Sequence, residues 1–292
     1  MLKMEKVTKS FGKVQALDGV DLHVQPGEIY GFIGPNGAGK TTAIRVLMGF
    51  IRPDSGHCTI FGRNVWKEAV QIHQRVAYVP GDVNLWPNLT GGEVIDLFLR
   101  LQSQKDVKAR DYWMERFDLD PTKKCRTYSK GNRQKVALVA AFAQEADLYI
   151  LDEPTSGLDP LMEKVFQEGL RERKKEGKSV LLSSHILSEV EKLCDRVSII
   201  RRGKIIETGS MKELRHLTHM DVHVRTLQPL PDQFGSAYIT DLREEEGEIR
   251  LRIDSAQIGR LMEEITPYGI ESLQCMPPTL ETLFMRHYQE EG

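Results

Sequence analysis

Glu28-Ile-Tyr-Gly-Phe-Ile-Gly34-Pro-Asn-Gly-Ala-Gly-Lys40-Thr41-Thr42 is the stretch that decides how the rest of the chain is read. Glu28 to Ile33 is short and apolar, and it is bounded by Pro26-Gly27 and Gly34, the mark of a buried strand. Gly34 to Thr41 matches G-x-x-x-x-G-K-[ST], and Thr41 to Met48 then reads as a helix stopped at Gly49. Strand, glycine loop and helix in this order make an anion cradle. Glycines let backbone N–H groups turn inward, the helix N-terminus adds a positive dipole end, and Lys40 adds a full charge for β- and γ-phosphates. Gly34, Pro35, Asn36, Gly37, Ala38, Gly39, Lys40, Thr41 and Thr42 are therefore candidate phosphate-binding residues, with the Thr41 hydroxyl a candidate magnesium ligand. Average residue frequencies give such a pattern by accident about once in a hundred chains of this length.

Working outward, Leu148-Tyr-Ile-Leu-Asp152-Glu153 places a second buried strand whose C-terminal end carries two acids. Ligands of open α/β sheets bind at strand C-termini. Asp152 is thus a candidate to hold magnesium through water, and Glu153 to polarise an attacking water. Two acids after a strand are common by themselves; the glycine loop upstream is what gives these a role. Strands are also expected at Arg75 to Val79, Lys178 to Ser183 and Val197 to Ile200. Thr90 with Glu93 forms a capping-box pattern opening a helix through Leu101, Gly131 to Ala146 reads as another, and Asp159-Pro160 is a good cap and first turn for a third. Strands alternating with helices predict a mainly parallel sheet, buried on both faces.

The chain changes character near residue 218. Residues 220–292 carry six Arg, no Lys and 14 acids, a charge of −8, although the whole 292-residue chain is almost neutral at −2. Strands are expected at Asp221 to Arg225 and Glu248 to Ile253, and helical spacing runs from Ser255 to Ile265 with Ile258, Leu261, Met262 and Ile265 on one face. Near-neutrality gives no expectation of a nucleic-acid partner. The four cysteines, Cys58, Cys125, Cys194 and Cys275, are far apart, which argues against a disulfide framework or zinc ribbon and for a reducing cytoplasm. The best apolar stretch, Val136 to Leu151, is interrupted by Gln144, Glu145 and Asp147, and Met1 to Lys6 lacks a signal-peptide core, so a membrane role would need another chain to span.

Tyr128-Ser-Lys-Gly-Asn132, Ser156-Gly-Leu-Asp159 and Ser184-His185 complete a motif set. Taken with the two nucleotide elements, and in that order over about residues 2–215, it resembles the nucleotide-binding subunit of an ATP-binding cassette (ABC) transporter. The resemblance is to the prokaryotic export-type branch with a C-terminal extension. It implies an α/β fold: a P-loop NTPase cassette with a mainly parallel sheet, an antiparallel β part and a helical subdomain at about 85–145, plus a small C-terminal α+β module. Residues 1–217 would be the ATP-binding domain and 218–292 an accessory or regulatory domain.

The same resemblance assigns roles. Tyr128-Ser-Lys-Gly-Asn132 stands for the family's Leu-Ser-Gly-Gly-Gln signature, matched outright at Ser129 and Gly131 and followed by Arg133-Gln-Lys-Val-Ala-Leu, which continues into the expected helix. Cassettes of this family pair head to tail, so Ser129, Gly131 and Asn132 of one chain would meet the nucleotide held on Lys40 of the other. Ser129 can cap its helix at the same time. His185 would be the switch histidine at the γ-phosphate or attacking water, although a lone His at a strand end is often structural. Asp159 would lie at the dimer seam, a role compatible with capping. Phe11 would stack on adenine. One departure stands out after Arg75 to Val79, where the family presents a glutamine to the metal and this chain reads Pro80-Gly81-Asp82. That contact is absent, or Asp82 supplies it as a metal ligand beside Thr41 and Asp152, or Gly81-Asp82 merely turns the chain.

The function implied is ATP hydrolysis with magnesium, with Lys40, Glu153 and His185 as catalytic residues. It would power a separate integral-membrane permease, for export, from the cytoplasmic face of the cell membrane and as a pair of identical cassettes. Pro277-Pro-Thr-Leu-Glu-Thr-Leu-Phe284 resembles the close of export-cassette extensions, and reads equally as a Thr-capped amphipathic helix. The rival is a soluble ABC-type ATPase of translation or DNA repair. Against it stand the single P-loop and the 112-residue gap from Lys40 to Asp152, which lacks sustained heptads. A GTPase is disfavoured because no Asn is followed by Lys.

Overall fold

The computed structural model describes residues 1–102, 107–216, 220–231, 234, 238–245 and 247–276; the stretch beginning at Pro277 lies outside them. Strands β1 (Leu2–Phe11) and β2 (Val14–Val24) pair antiparallel, and β3 (Ile29–Ile33) then enters a different sheet. β4 (Ser55–Ile60) returns to pair with β1, and β5 (Arg63–Asn64) with β4, giving an antiparallel sheet of order β2-β1-β4-β5.

The second sheet adds β6 (Val76–Val79), β7 (Leu148–Asp152), β8 (Ser179–Ser184), β9 (Arg196–Arg201) and β10 (Lys204–Ser210) in the order β10-β9-β3-β8-β7-β6. β9, β3, β8, β7 and β6 run parallel. Every residue of β3, β7 and β8 is buried, as expected of parallel strands covered on both faces, although β8 carries Ser179, Ser183 and Ser184 and β7 ends in Asp152. Tyr30 and Phe32 point into a core shared with Leu2, Met4 and Leu17 of the antiparallel sheet and with Ala43, Ile44 and Leu47 of helix α1 (Lys40–Leu47). On the opposite face Gly31 leaves room for Val190, Val197 and Cys194; a Cβ there would lie 2.6 Å from a Val190 methyl.

Helices lie between the parallel strands, whereas β9 and β10 are joined by a tight turn. Helices α2 (Ala69–His73), α3 (Gly91–Leu101), α4 (Val107–Arg116) and α5 (Lys130–Phe142) precede β7; α6 (Pro160–Lys175) and α7 (Leu187–Leu193) flank β8. Thr90 and Glu93 form the expected capping box, and Asp159 caps α6 through the N–H groups of Leu161 and Met162. Helix α5 stops four residues short of the expected Ala146. The chain tightens there, with the Gln144 N–H on the Ala141 carbonyl at 3.2 Å and the Tyr149 hydroxyl on the Gln144 carbonyl at 3.0 Å. Aromatic packing joins α4, α5 and α6, with Trp113 stacked on Phe142 at 4.8 Å between centroids.

The chain divides into two compact units, Met1–Thr208 and Gly209–Gly292. The charge shift placed the boundary at 217/218. It lags the fold because the last lysine, Lys212, sits in α8 (Met211–His216), already in the second unit. Strands β11 (Met220–Thr226), β12 (Ile239–Glu245), β13 (Glu248–Ile253) and β14 (Ile270–Met276) form an antiparallel sheet of order β12-β13-β11-β14. Helix α9 (Ile258–Ile265) follows a 3₁₀ turn at Ser255–Gln257 and buries Leu261 and Ile265 against Val222, Val224, Leu251 and Ile253. An α/β unit with a mainly parallel sheet and a separate antiparallel sheet, followed by a small α+β module, is thus the architecture of the chain.

Candidate nucleotide-binding site

Parallel register brings the site together. Ile33 of β3 pairs with Ser184 of β8, and Asp152 of β7 pairs with Ser183, so Gly34, Glu153 and His185 all emerge at one sheet edge. Gly39 precedes α1 at φ 115°, a conformation that favours glycine, and a Cβ there would press on the Ala16 carbonyl at 2.6 Å. Pro35, Asn36, Gly37, Gly39, Lys40, Thr41 and Thr42 line a pocket of about 420 Å³ together with Val14, Gln15, Ala16, Glu153 and Arg202. Gly34 and Ala38 lie behind it. Gly34 packs against Ile200, while the Ala38 carbonyl accepts from the Gly203 N–H at 2.9 Å and so ties the loop to the β9–β10 turn. A larger cleft of about 670 Å³ runs past Lys3, Asp21, Arg196 and Lys204, but it has no glycine loop or helix end to receive phosphate.

Lys40 is buried and folds back on its own loop, donating to the Gly34 carbonyl at 2.5 Å and the Pro35 carbonyl at 3.2 Å. Its ammonium also stands 3.0 Å from Glu153 Oε1, which accepts no hydrogen bond, so that approach is a charge contact. The other Glu153 oxygen meets His185 Nδ1 at 2.6 Å. Glu153 itself has φ 49°, a strained value for a non-glycine residue. Its N–H is held by the Ser183 carbonyl at 3.2 Å and the Ser183 hydroxyl at 3.1 Å.

Asp152 is fully buried. Ser183 Oγ donates to its Oδ1 at 2.6 Å, whereas its Oδ2 is buried without a hydrogen-bond partner. Tyr78, raised to about 12 by burial and then by the Asp152 charge, stands nearby. An orphaned buried carboxylate oxygen is costly to leave so, and with the hard-oxygen donor Thr41 the residues fit a divalent cation. Gly81 abuts this group; a Cβ there would lie 3.3 Å from Asp152 Oδ2. Asp82, the alternative, is exposed and accepts from Asn84 Nδ2 at 3.3 Å.

Other expected site residues stand apart from this pocket. Ser129 caps α5 by accepting from the Asn132 N–H at 3.2 Å. A Cβ on Gly131 would collide with the Gly157 carbonyl, so glycine is needed there for packing alone. Lys130 Nζ donates to Ser156 Oγ at 2.6 Å and Gln134 to the Pro154 carbonyl at 2.9 Å, binding α5 to the segment between Glu153 and Asp159. None of Ser129, Gly131, Asn132 and Asp159 lines the Lys40 pocket, and neither does Phe11, which is exposed with Lys9 Nζ 5.6 Å from its ring centroid. Sequence reading missed Ser183, Arg202 and Gln134. For Ser183 a signal exists, a polar residue inside a buried strand one position before Ser184-His185.

A glycine-loop cradle at a helix N-terminus, with a paired acid and histidine at the same end of a parallel sheet, defines a nucleotide-phosphate-binding protein of the P-loop class. Residues 17–156 match the family model described as ABC transporter. Over 302 residues the chain is 30% identical to the linearmycin resistance ATP-binding protein LnrL of Bacillus subtilis, covering 98% of this chain and 97% of that protein. It is 34% identical to the Nod factor export ATP-binding protein I of Paraburkholderia xenovorans, covering 73% and 72%. Among solved structures it is similar to an ATP-binding subunit of an ABC transporter, with 31% identity, a TM-score of 0.70, and 74% and 92% coverage. The chain belongs to the ABC transporter family, as an ATP-binding subunit and transporter ATPase. Among the described residues no helix is long and apolar enough to cross a membrane.

Proposed function

We propose that this chain works as one of two identical head-to-tail cassettes that hydrolyse ATP and drive a separate membrane permease in the export direction. The observation that carries the reading is the Glu153 carboxylate braced between Lys40 and His185 at the mouth of the glycine loop. Triphosphate competes for the Lys40 charge. With Lys40 turned to the phosphates, Glu153 keeps His185 and stands ready to take the proton of a water attacking the γ-phosphate. Gly34 to Thr42 cradle the phosphates, and Phe11 offers its exposed face to adenine. Thr41 and Asp152 would hold magnesium, which supplies neutralisation of the phosphate charge; Asp82, exposed and accepting from Asn84 Nδ2, is left outside that pair.

Pairing in trans is supported by the position of Ser129, Gly131, Asn132 and Asp159 outside the pocket of their own chain. The export direction is supported by the names of two relatives, one a resistance and one an export ATP-binding protein. In this reading the permease supplies the membrane span, the cassettes sit at its cytoplasmic face, and the second unit, Gly209–Gly292, forms an accessory domain. Glu153→Gln should retain ATP binding, abolish turnover and trap an ATP-bound dimer on gel filtration with Mg-ATP. Hydrolysis at the parental rate by that variant sinks the assignment.

A further inference from the structure

Glu189 lies in the first turn of α7 with its side chain turned into the first unit, 7% exposed. Nothing in the hydrolysis reading uses it. Its Oε2 accepts two hydroxyl hydrogen bonds, from Thr155 Oγ1 at 3.1 Å and from Ser184 Oγ at 3.2 Å. Thr155 is two residues past Glu153, and its carbonyl accepts from the Leu158 N–H at 3.0 Å, opening the turn that leads to Asp159. Ser184 immediately precedes His185, and its hydroxyl also accepts from the Ile186 N–H at 2.9 Å, so it grips the chain on both sides of the histidine. The other Glu189 oxygen is buried without a partner.

Burying a carboxyl among packed side chains is unfavourable unless its bonds achieve something an apolar residue would not. Desolvation holds this carboxyl above the usual carboxylate range, against the hydroxyl bonds that pull it down and with Glu163 and Glu153 adding to the rise. Neighbouring Leu187, Val190 and Leu193 already give α7 its apolar face. What the acid adds is a single oxygen shared by two segments that carry different parts of the site.

We propose that Glu189 is a positioning residue for ATP hydrolysis, tying the Glu153–Asp159 segment through Thr155 to the strand end that carries His185 through Ser184. The tie sets the spacing of the Glu153–His185 pair and fixes where the turn to Asp159 begins. The inference rests on the hydrolytic role of Glu153 and His185.

The test is steady-state ATP hydrolysis by the full chain, read as kcat and KM separately. Thr155→Val and Glu189→Ala should each lower kcat about tenfold or more while KM for ATP stays within about twofold, because geometry and not nucleotide binding is disturbed. Glu189→Gln keeps an oxygen able to accept both hydroxyls and should hold kcat within about threefold of the parent. The Thr155→Val, Ser184→Ala double variant should fall no further than the worse single one, since either cut severs the same tie. If Glu189→Ala fails to fold, the two hydroxyl deletions decide by the same criteria. Parental kcat in Thr155→Val, additive losses in the double variant, or equal losses in Glu189→Gln and Glu189→Ala overturn the proposal. In each of those cases the hydrolytic reading survives as long as Glu153→Gln is inactive. A parental chain without ATP turnover fails both.

Discussion

Ser183→Ala isolates one hydroxyl that the site depends on. In the parent, Ser183 Oγ donates to Asp152 Oδ1 at 2.6 Å in a fully buried setting, and the second Asp152 oxygen has no partner. Deleting the hydroxyl leaves the carboxylate with neither bond. A hydrogen bond to a charged group contributes about 1.5–3 kcal/mol. The hydroxyl's other bond, from the Glu153 N–H at 3.1 Å, adds little, because that N–H also donates to the Ser183 carbonyl at 3.2 Å. The expected loss of stability is therefore about 2 kcal/mol, which lowers the melting temperature of a domain this size by about 4–8 °C. Trp66, Trp86 and Trp113 are the only tryptophans and all lie in the first unit, so their fluorescence during urea or thermal unfolding reports that unit alone. A loss below about 0.5 kcal/mol, the range of an ordinary surface change, would refute the view that Ser183 holds the buried carboxylate.

Two further expectations concern activity. Mixing Lys40→Ala with Ser129→Arg chains should restore hydrolysis above either variant alone, since each mixed dimer keeps one intact site; no recovery despite demonstrated mixed dimers would argue for a self-contained site. Asp82→Asn and Asp82→Ala should leave the magnesium midpoint of hydrolysis unchanged, because the Asp82 carboxylate bonds Asn84 on the surface while Gly81 abuts Asp152. Raised midpoints, with alanine the stronger, would restore Asp82 as a metal ligand.

What could be read in the sequence was local. The β3 strand, the glycine loop, the Thr90–Glu93 box and the Asp159 cap each need only a few neighbouring residues, and each stands where the pattern put it. The overlong α5 shows the limit of periodicity, since its apolar run continues past Phe142 while the backbone closes on Ala141. Long-range features stayed hidden for a different reason. The Leu2–Ile60 pairing of β1 and β4 spans most of sixty residues, and the Ser183–Asp152 bond exists only because β7 and β8 align in that register. Gly131 was singled out for nucleotide, yet the Gly157 carbonyl demands glycine there on its own account, a contact no spacing announces.

That contact has a thermodynamic consequence for association. Loops that must be immobilised on complex formation typically oppose binding by about 0.5–1.5 kcal/mol per ordered side chain. Here the first turn of α5 and the Ser156–Asp159 turn are already fastened within one chain by Lys130, Gln134 and the Gly131–Gly157 approach. A second cassette would therefore meet a single stiff edge, and little of the entropy lost on docking would come from it. Loosening that edge, as Lys130→Ala would, should speed dissociation of the dimer more than it slows its formation.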